Sequence, residues 1–543
     1  MTSVSLHYAN TRLRYKEMHI PAEASTNLLL LGVIRQSMGI IEKQSIRGTI
    51  YAYLGVAVGF ITAGVIQPLF LSPEQNGVLD LLMTWSLVFA TLATLGINNV
   101  TNRLFPWFRD PQNRHHHYFG LVFWVTLAGF LVSTAIFLLI KPGLISSAEE
   151  KSVLFIPYID YIIPLTAFTA IYLVADIYYS ALYKSAMGIF IREFLMRIFI
   201  LLALLLFIFN ITGFSGTVIA YVVALSLPGL IITLLLIRDG EFRPGLELSH
   251  IKPTLARSML SVAGFGIIMT FSNIVVQYID RIMIDHYLGL GAVGIYGRAF
   301  IYGTLVSIAS RAVNKISGIV IAQAWKERRL ADIRKIYANS TLHQLLFGLL
   351  IFSGILANLE NIRRLLPEAY GTGIQVVLFI GLANLFHMAS GVSVAIMSTS
   401  RHYRLLALFI VIFVLLIILS NMILIPLWGI TGAAVASAVS VFAYSTMRYL
   451  FLKLKYGMEP YSWRHLAMLA FAAAACFAGW LVPDLYDSQT HYLTLAADVA
   501  VRGSVVVITF TGLTLITGIS PDLSTRVMNL LRQRRSKTGE GEK

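Results

Sequence analysis

The chain has 543 residues, 57% of them hydrophobic and only 13% charged, with a net charge of +15. A soluble globular protein carries about 25% charged residues, a disordered chain lacks this apolar content, and one cysteine, Cys476, cannot staple a disulfide scaffold, so all three classes are excluded. A mean hydropathy of +0.74 marks a membrane protein instead, and the basic surplus must be read from where it falls along the chain.

In chain order, residues 1–47 come before any span. Residues 28–34 are apolar but too short to cross a bilayer, and no signal-peptide cleavage pattern follows them. Met38 opens a basic lead-in, MGIIEKQSIRG. Residues 1–37 are therefore expected to be dispensable, or translation is expected to begin at Met38. A bilayer core needs roughly 20 apolar residues per helix, and fourteen runs meet that length: 48–70, 78–102, 118–140, 154–183, 186–209, 214–237, 259–287, 292–323, 337–359, 372–398, 403–425, 428–452, 465–482 and 500–519. The expected fold is an all-α, polytopic membrane protein. Its expected parts are an N-terminal extension (1–47), a six-span bundle (48–237), a linker (238–258), a second six-span bundle (259–452), spans 13 and 14 (453–519) and a basic tail (520–543).

With the N-terminus cytoplasmic, loops on that side hold 31 of the 42 Lys and Arg residues, and the opposite loops hold four, Lys141, Lys151, Arg363 and Arg364. The positive-inside rule then puts both termini in the cytoplasm, and the basic surplus reads as a topology signal that leaves nucleic acid out as a partner. A missed or invented span would have mixed the two populations. No opposite-side loop is long enough for a folded domain.

The chain is duplicated. Leu71, Gly77 and Val78 after span 1 match Leu288, Gly294 and Ile295 after span 7 at an offset of 217. ITGFSGTVIA (211–220) matches LWGITGAAVA (427–436) at 216. Six spans per half make the repeats parallel, with spans 13 and 14 appended, a layout common in transporters. The basic lead-in, the QPLFLSPEQNGVLDLL turn, the DRIMIDHYLGLGAVGIYGRA hairpin and the ITGAAVASA start of span 12 together resemble the polysaccharide-type flippases of the MOP (multidrug, oligosaccharidyl-lipid, polysaccharide) superfamily, over residues 38–519. The resemblance implies a MATE-like fold of two bundles around a V-shaped cavity, alternating access, and a lipid-linked glycan as cargo. The cargo expected is undecaprenyl-pyrophosphate-linked oligosaccharide, moved across the inner membrane for surface polysaccharide assembly. Expected with it are membrane lipids and polymerase machinery as partners, no cofactor, and coupling to an H+ or Na+ gradient. A lipid II flippase, a cation-coupled multidrug exporter and, from another class, a membrane polymerase or glycosyltransferase remain alternatives.

Charges at bilayer depth cost about 2.5 to 3.5 kcal/mol on insertion scales and so need partners or a water-filled cavity. In the span 7–8 hairpin, Asp280 and Arg298 each lie about nine residues from the turn, at similar depth. They form either a structural ion pair or a gate in which Asp280 responds to the coupling ion. Arg281 with Asp285, and Glu193 with Arg197, sit at i, i+4 and read as local pairs. Asp176 and Arg192 are placed to pair across their hairpin, and Asp80 is set aside as an outer-mouth residue. Arg311 and Lys315 share a face of span 8 without an acid in their own hairpin, so Arg311, Arg298 and Lys315 are the expected contacts to the cargo phosphates, snorkelling to the cytoplasmic surface being the alternative for the deeper two. The G-x-G-x-x-G string at Gly289, Gly291 and Gly294 lies in a turn between spans, with no strand before it, and so is not a dinucleotide site. No P-loop sequence occurs, and His115, His116 and His117 are adjacent rather than spaced as metal ligands.

Overall fold

The computed structural model describes residues 46–110, 112–243, 245, 251–485 and 491–519. The N-terminal extension with its Met38 start, and the basic tail, lie outside the described residues, as do the side chains of Arg311 and Lys315. Among the described residues the protein is all-α without strands. Its helices are α1 (Ile46–Phe70), α2 (Pro73–Ala93), α3 (Ile97–Leu104), α4 (Tyr118–Lys151), α5 (Ile162–Ala181), α6 (185–208, with a π-helical turn at Phe190–Leu195) and α7 (Phe214–Arg238). The second half holds α8 (Pro253–Leu288), α9 (Leu290–Thr304), α10 (Ser310–Lys326), α11 (Leu330–Ala357), α12 (Leu359–Leu365), α13 (Ile374–Ala389), α14 (Ser393–Thr399) and α15 (Tyr403–Tyr456); α16 (Trp463–Trp480) and α17 (His491–Ile516) follow.

Each of the fourteen predicted spans is helical, though several are broken. Span 8 divides into α9 and α10 at a 3-10 turn, Leu305–Ser307, and span 10 into α13 and α14 around Gly391. Spans 11 and 12 run on as α15, bent at one non-helical residue, Gly429 (φ 59°, ψ −140°). That left-handed backbone favours glycine because a Cβ would crowd the carbonyl.

Local chemistry sets the turns. Ser72 accepts from the Gln75 amide at 3.2 Å while the Gln75 side chain accepts from the Ser72 amide at 3.0 Å, and Pro73 takes the first helical position, so α2 begins on a capping box. Among the described residues, ten helices are long and apolar enough to cross a membrane. Large apolar side chains such as Leu139, Leu454 and Ile516 are more than three-quarters exposed on them, a surface only lipid can cover, and the chain is a multi-pass membrane protein. α2 differs: 78% of its apolar window is buried, against 17% for α1. It forms the seam, packing on α9 and α8 of the other half. α16 and α17 pack on each other and on α11.

Arg448 is a correction to the loop inventory. The sequence reading places it among the cytoplasmic-side cations, yet it is fully buried on α15, donating to Ser390 and Ser445 Oγ at 3.1 and 3.0 Å with its guanidinium 4.2 Å from the Tyr444 ring centroid. Arg448 falls inside the predicted span 428–452, and α15 turns its side chain toward Ser390 and Tyr444 rather than to the surface.

A candidate cargo cavity at the seam between halves

The duplicated turns meet each other. Gly77 packs so closely on Leu290 that a Cβ would strike the Leu290 carbonyl, and Gly294 packs likewise on Pro73. Leu290 is Pro73 displaced by the 217-residue offset, as Gly294 is Gly77, so the two contacts are the same contact taken in both directions across a pseudo-two-fold axis. Two further links cross at this end of the seam. Asn76 Nδ2 donates to the Tyr370 hydroxyl at 2.6 Å, which donates to the Leu71 carbonyl at 2.8 Å; Ser152 Oγ donates to Asp285 at 2.6 Å. At the opposite end α3 packs on α8, with Asn99 Nδ2 donating to Thr270 at 3.0 Å.

Between these closures lies a cavity of about 290 Å³. α1, α2, α6 and α7 line one side and α8 and α9 the other, and the charged lining is Arg197, Arg281, Arg298 and Asp80. Arg298, 4% exposed, donates through Nη2 to Asp80 and through Nη1 to the Ala63 carbonyl at 3.3 Å. Arg197 donates to Glu193 at 2.9 Å and to the Gly55 carbonyl at 2.6 Å. Arg281 lies 4.9 Å from the Phe300 centroid and 5.5 Å from that of Tyr278, a cation–π cradle. Four buried polar atoms on the lining, Thr62 Oγ1, Gln67 Oε1, Asp80 Oδ2 and Arg298 Nε, have no hydrogen-bond partner among the described residues. Buried polar groups are nearly always satisfied. Orphans gathered around one cavity therefore point to a polar occupant.

The structure redistributes the sequence-derived sites. Arg298, an expected phosphate contact, lines the cavity. Arg311 and Lys315 sit on the backbone of α10, past the 3-10 break. Asp280 is not paired with Arg298: it is 4% exposed inside the second half and accepts from Tyr296 at 2.6 Å, Asn421 at 2.7 Å and Ser437 at 2.7 Å. The two face different ways because Arg298 turns to α2 while Asp280 turns to α15. Asp285 pairs with Ser152 rather than Arg281, and Asp176 and Arg192 make no ion pair among the described residues, Arg192 lying instead 5.4 Å from the Tyr172 centroid. Glu193 and Arg197 do pair. Sequence reasoning missed Asp80, read as an outer-mouth residue, along with Arg281 and Arg197. The repeat carried the signal for Asp80. Its 217-offset counterpart is Gly297, beside Arg298, and a Cβ on Gly297 would collide with the Asp80 carboxylate.

The relatives fit this geometry. A Haloferax volcanii protein described as the probable low-salt glycan biosynthesis flippase Agl15 is 26% identical over 226 residues, 40% of this chain, so the match spans about half (47%) of that protein's length. Among solved structures, the lipid II flippase MurJ in an inward closed conformation superposes with a TM-score of 0.69 at 12% identity, covering 88% of this chain and 99% of that one. An inward-facing multidrug resistance MATE family transporter of the MOP superfamily gives 0.55 at 16% identity, over 75% and 94%. These likenesses establish the fold, and the proteins named are flippases and transporters rather than enzymes. The family model for polysaccharide biosynthesis proteins matches residues 45–321, just over half of the sequence. Because that match runs through the first half and on to the hairpin that supplies Arg281 and Arg298, the chain belongs to the polysaccharide biosynthesis protein family.

Proposed function

We propose that the protein is a flippase for undecaprenyl-pyrophosphate-linked oligosaccharide, carrying it from the cytoplasmic to the outer leaflet of the inner membrane for surface polysaccharide assembly. The observation that carries this reading is the seam cavity, where three arginines face one lining carboxylate and two groups able to donate, Arg298 Nε and the Thr62 hydroxyl, have no partner among the described residues. A pyrophosphate supplies negative charge and acceptor oxygens, and arginine holds phosphate oxygens in bidentate fashion. Arg298 and Arg281 are the proposed phosphate contacts, with Arg311 and Lys315 on α10 as a second pair along the path.

The proposed cycle is alternating access, in which the halves part at one end of the seam and then at the other. The basic loops set the cytoplasmic side. In this cycle Asp280 is the coupling residue. Its carboxylate accepts from the Tyr296 and Ser437 hydroxyls and from the Asn421 amide nitrogen, and loss of its charge, by protonation or by a bound Na+, loosens the junction of α8 with α15. A polysaccharide polymerase is the proposed downstream partner.

Depletion of the protein in its native cell, followed by leaflet-resolved measurement of lipid-linked oligosaccharide, tests the proposal. Complete glycan accumulating on the cytoplasmic leaflet is the expected result. Truncated glycan with normal sidedness points to an enzyme, and unchanged glycan to a small-molecule exporter.

A further inference from the structure

At the basic end of the first half, away from the seam, lies a second cavity of about 410 Å³, lined by the start of α1, the start of α6 and the end of α7. Arg47, Lys184 and Arg238 reach it from three segments far apart in sequence, with one acid, Asp239. Asp239 accepts from Lys184 Nζ at 2.7 Å and from the Tyr179 hydroxyl at 3.0 Å. The Lys184 hydrogen bond holds its carboxyl below the usual carboxylate range, so Asp239 stays ionised and neutralises one cation. Two positive charges are left over. Arg238 stands 3.5 Å from the same carboxylate, and Arg47 has no ion pair among the described residues. The wall between the cations is aromatic, Tyr51 packing on Phe190 with centroids 4.9 Å apart. Next to it Ile50, Met187, Leu234 and Ile237 are exposed apolar side chains on the same three elements.

A topology signal requires only that cations occupy the loops on one side. It does not require that they converge on a cavity whose rim is lipid-facing. Basic pockets between helices at the cytoplasmic surface are suited to acidic lipid headgroups, and each cation near the surface adds to that attraction.

We propose that this pocket binds the phosphate headgroup of an anionic phospholipid of the cytoplasmic leaflet, with Arg47 and Arg238 on the phosphate and the acyl chains laid over Ile50 and Leu234. The pocket lies outside the cargo cavity and shares none of its lining residues. The proposal uses the sidedness of the proposed function but not its cargo, so a chain that holds phospholipid yet moves no glycan separates the two readings.

The test uses the full chain, purified and placed in nanodiscs of phosphatidylcholine with a minor fraction of phosphatidylglycerol, with phosphatidylglycerol enrichment around the protein read by native mass spectrometry. The wild type is expected to retain phosphatidylglycerol over phosphatidylcholine, and R47Q/R238Q to lose about thirtyfold of that preference, two surface cations' worth. R47K/R238K keeps both charges and is expected to keep most of the preference. Equal retention by wild type and the Gln pair overturns the proposal. So does loss in R47K/R238K as complete as in the Gln pair, and so does a wild type that enriches an undecaprenyl pyrophosphate probe but not phosphatidylglycerol.

Discussion

Arg298 on α9 donates to Asp80 on α2 across the seam between the halves, at the point where Asp80 packs against its own repeat counterpart, Gly297. The pair is largely enclosed, 4% and 11% exposed, so each charge leans chiefly on the other. A buried pair is costly to break from one side only, which makes this contact a clasp on the seam; under the proposed function it is also where an incoming phosphate would compete with a carboxylate for one guanidinium.

The first prediction concerns that clasp. Asp80→Asn and Arg298→Gln are each expected to destabilise the protein by about 3 kcal/mol, because each strands a buried charge or its partner. The double variant is expected to lose clearly less than the sum, with a coupling of about 1–3 kcal/mol. Thermal unfolding in a fixed detergent reads the cycle. Additive losses mean that the two side chains do not sense each other.

Arg281 separates cargo contact from stability. Its cation–π contacts with Tyr278 and Phe300 are worth about 1 kcal/mol at most in an accessible cavity, so Arg281→Gln is expected to leave the melting temperature almost unchanged while lowering translocation at least about tenfold, the cost of one charged hydrogen bond to phosphate. A normal transport rate in R281Q removes Arg281 from the cargo path.

Asp280 is expected to act on coupling rather than on cargo. Asp280→Asn keeps a side chain that accepts from Tyr296 or Ser437 but never carries charge. Its transport is expected to become indifferent to an imposed proton or sodium gradient. If D280N follows the gradient as the wild type does, Asp280 is a structural anchor.

At the seam glycines the backbones nearly touch. Gly77→Ala and Gly294→Ala are each expected to cost about 1–3 kcal/mol, the usual range for overpacking, and to make a cysteine placed at position 72 more reactive to a membrane-impermeant maleimide in a Cys476→Ser background. Because the two contacts are related by the repeat, the two variants are expected to behave alike. A large effect from only one of them argues against a symmetric seam.

The span pattern was legible because a hydrophobic run announces a membrane helix on its own, and the nearly equal offsets of Gly77 to Gly294 (217) and Gly213 to Gly429 (216) announced the duplication. Breaks inside spans were not: the 3-10 turn at Leu305–Ser307 sits in a largely apolar run, and the Ser390–Gly391 pair that ends α13 is too short an interruption to divide span 10 in the sequence. The site was half legible. Arg298 stood out as an intramembrane charge, but its partner was sought nine residues from the same turn, at Asp280, when it lies on the other half of the chain. Partner choice depends on which face each helix turns to its neighbours, and hairpin depth alone does not contain that. Its position near the end of a span makes Asp80 read as an outer-mouth residue, yet α2 is enclosed from Asn76 onward, with residues 76–79 buried just ahead of Asp80.

The most direct measurement is translocation in proteoliposomes holding only this chain, loaded on one leaflet with fluorescent undecaprenyl-pyrophosphate oligosaccharide, comparing the wild type with R281Q and R298Q. A flippase with a cationic seam cavity moves the probe to the other leaflet, and both variants slow it at least about tenfold. Wild-type protein that leaves the probe where it was loaded, or variants that move it at the wild-type rate, would contradict the role of the cavity.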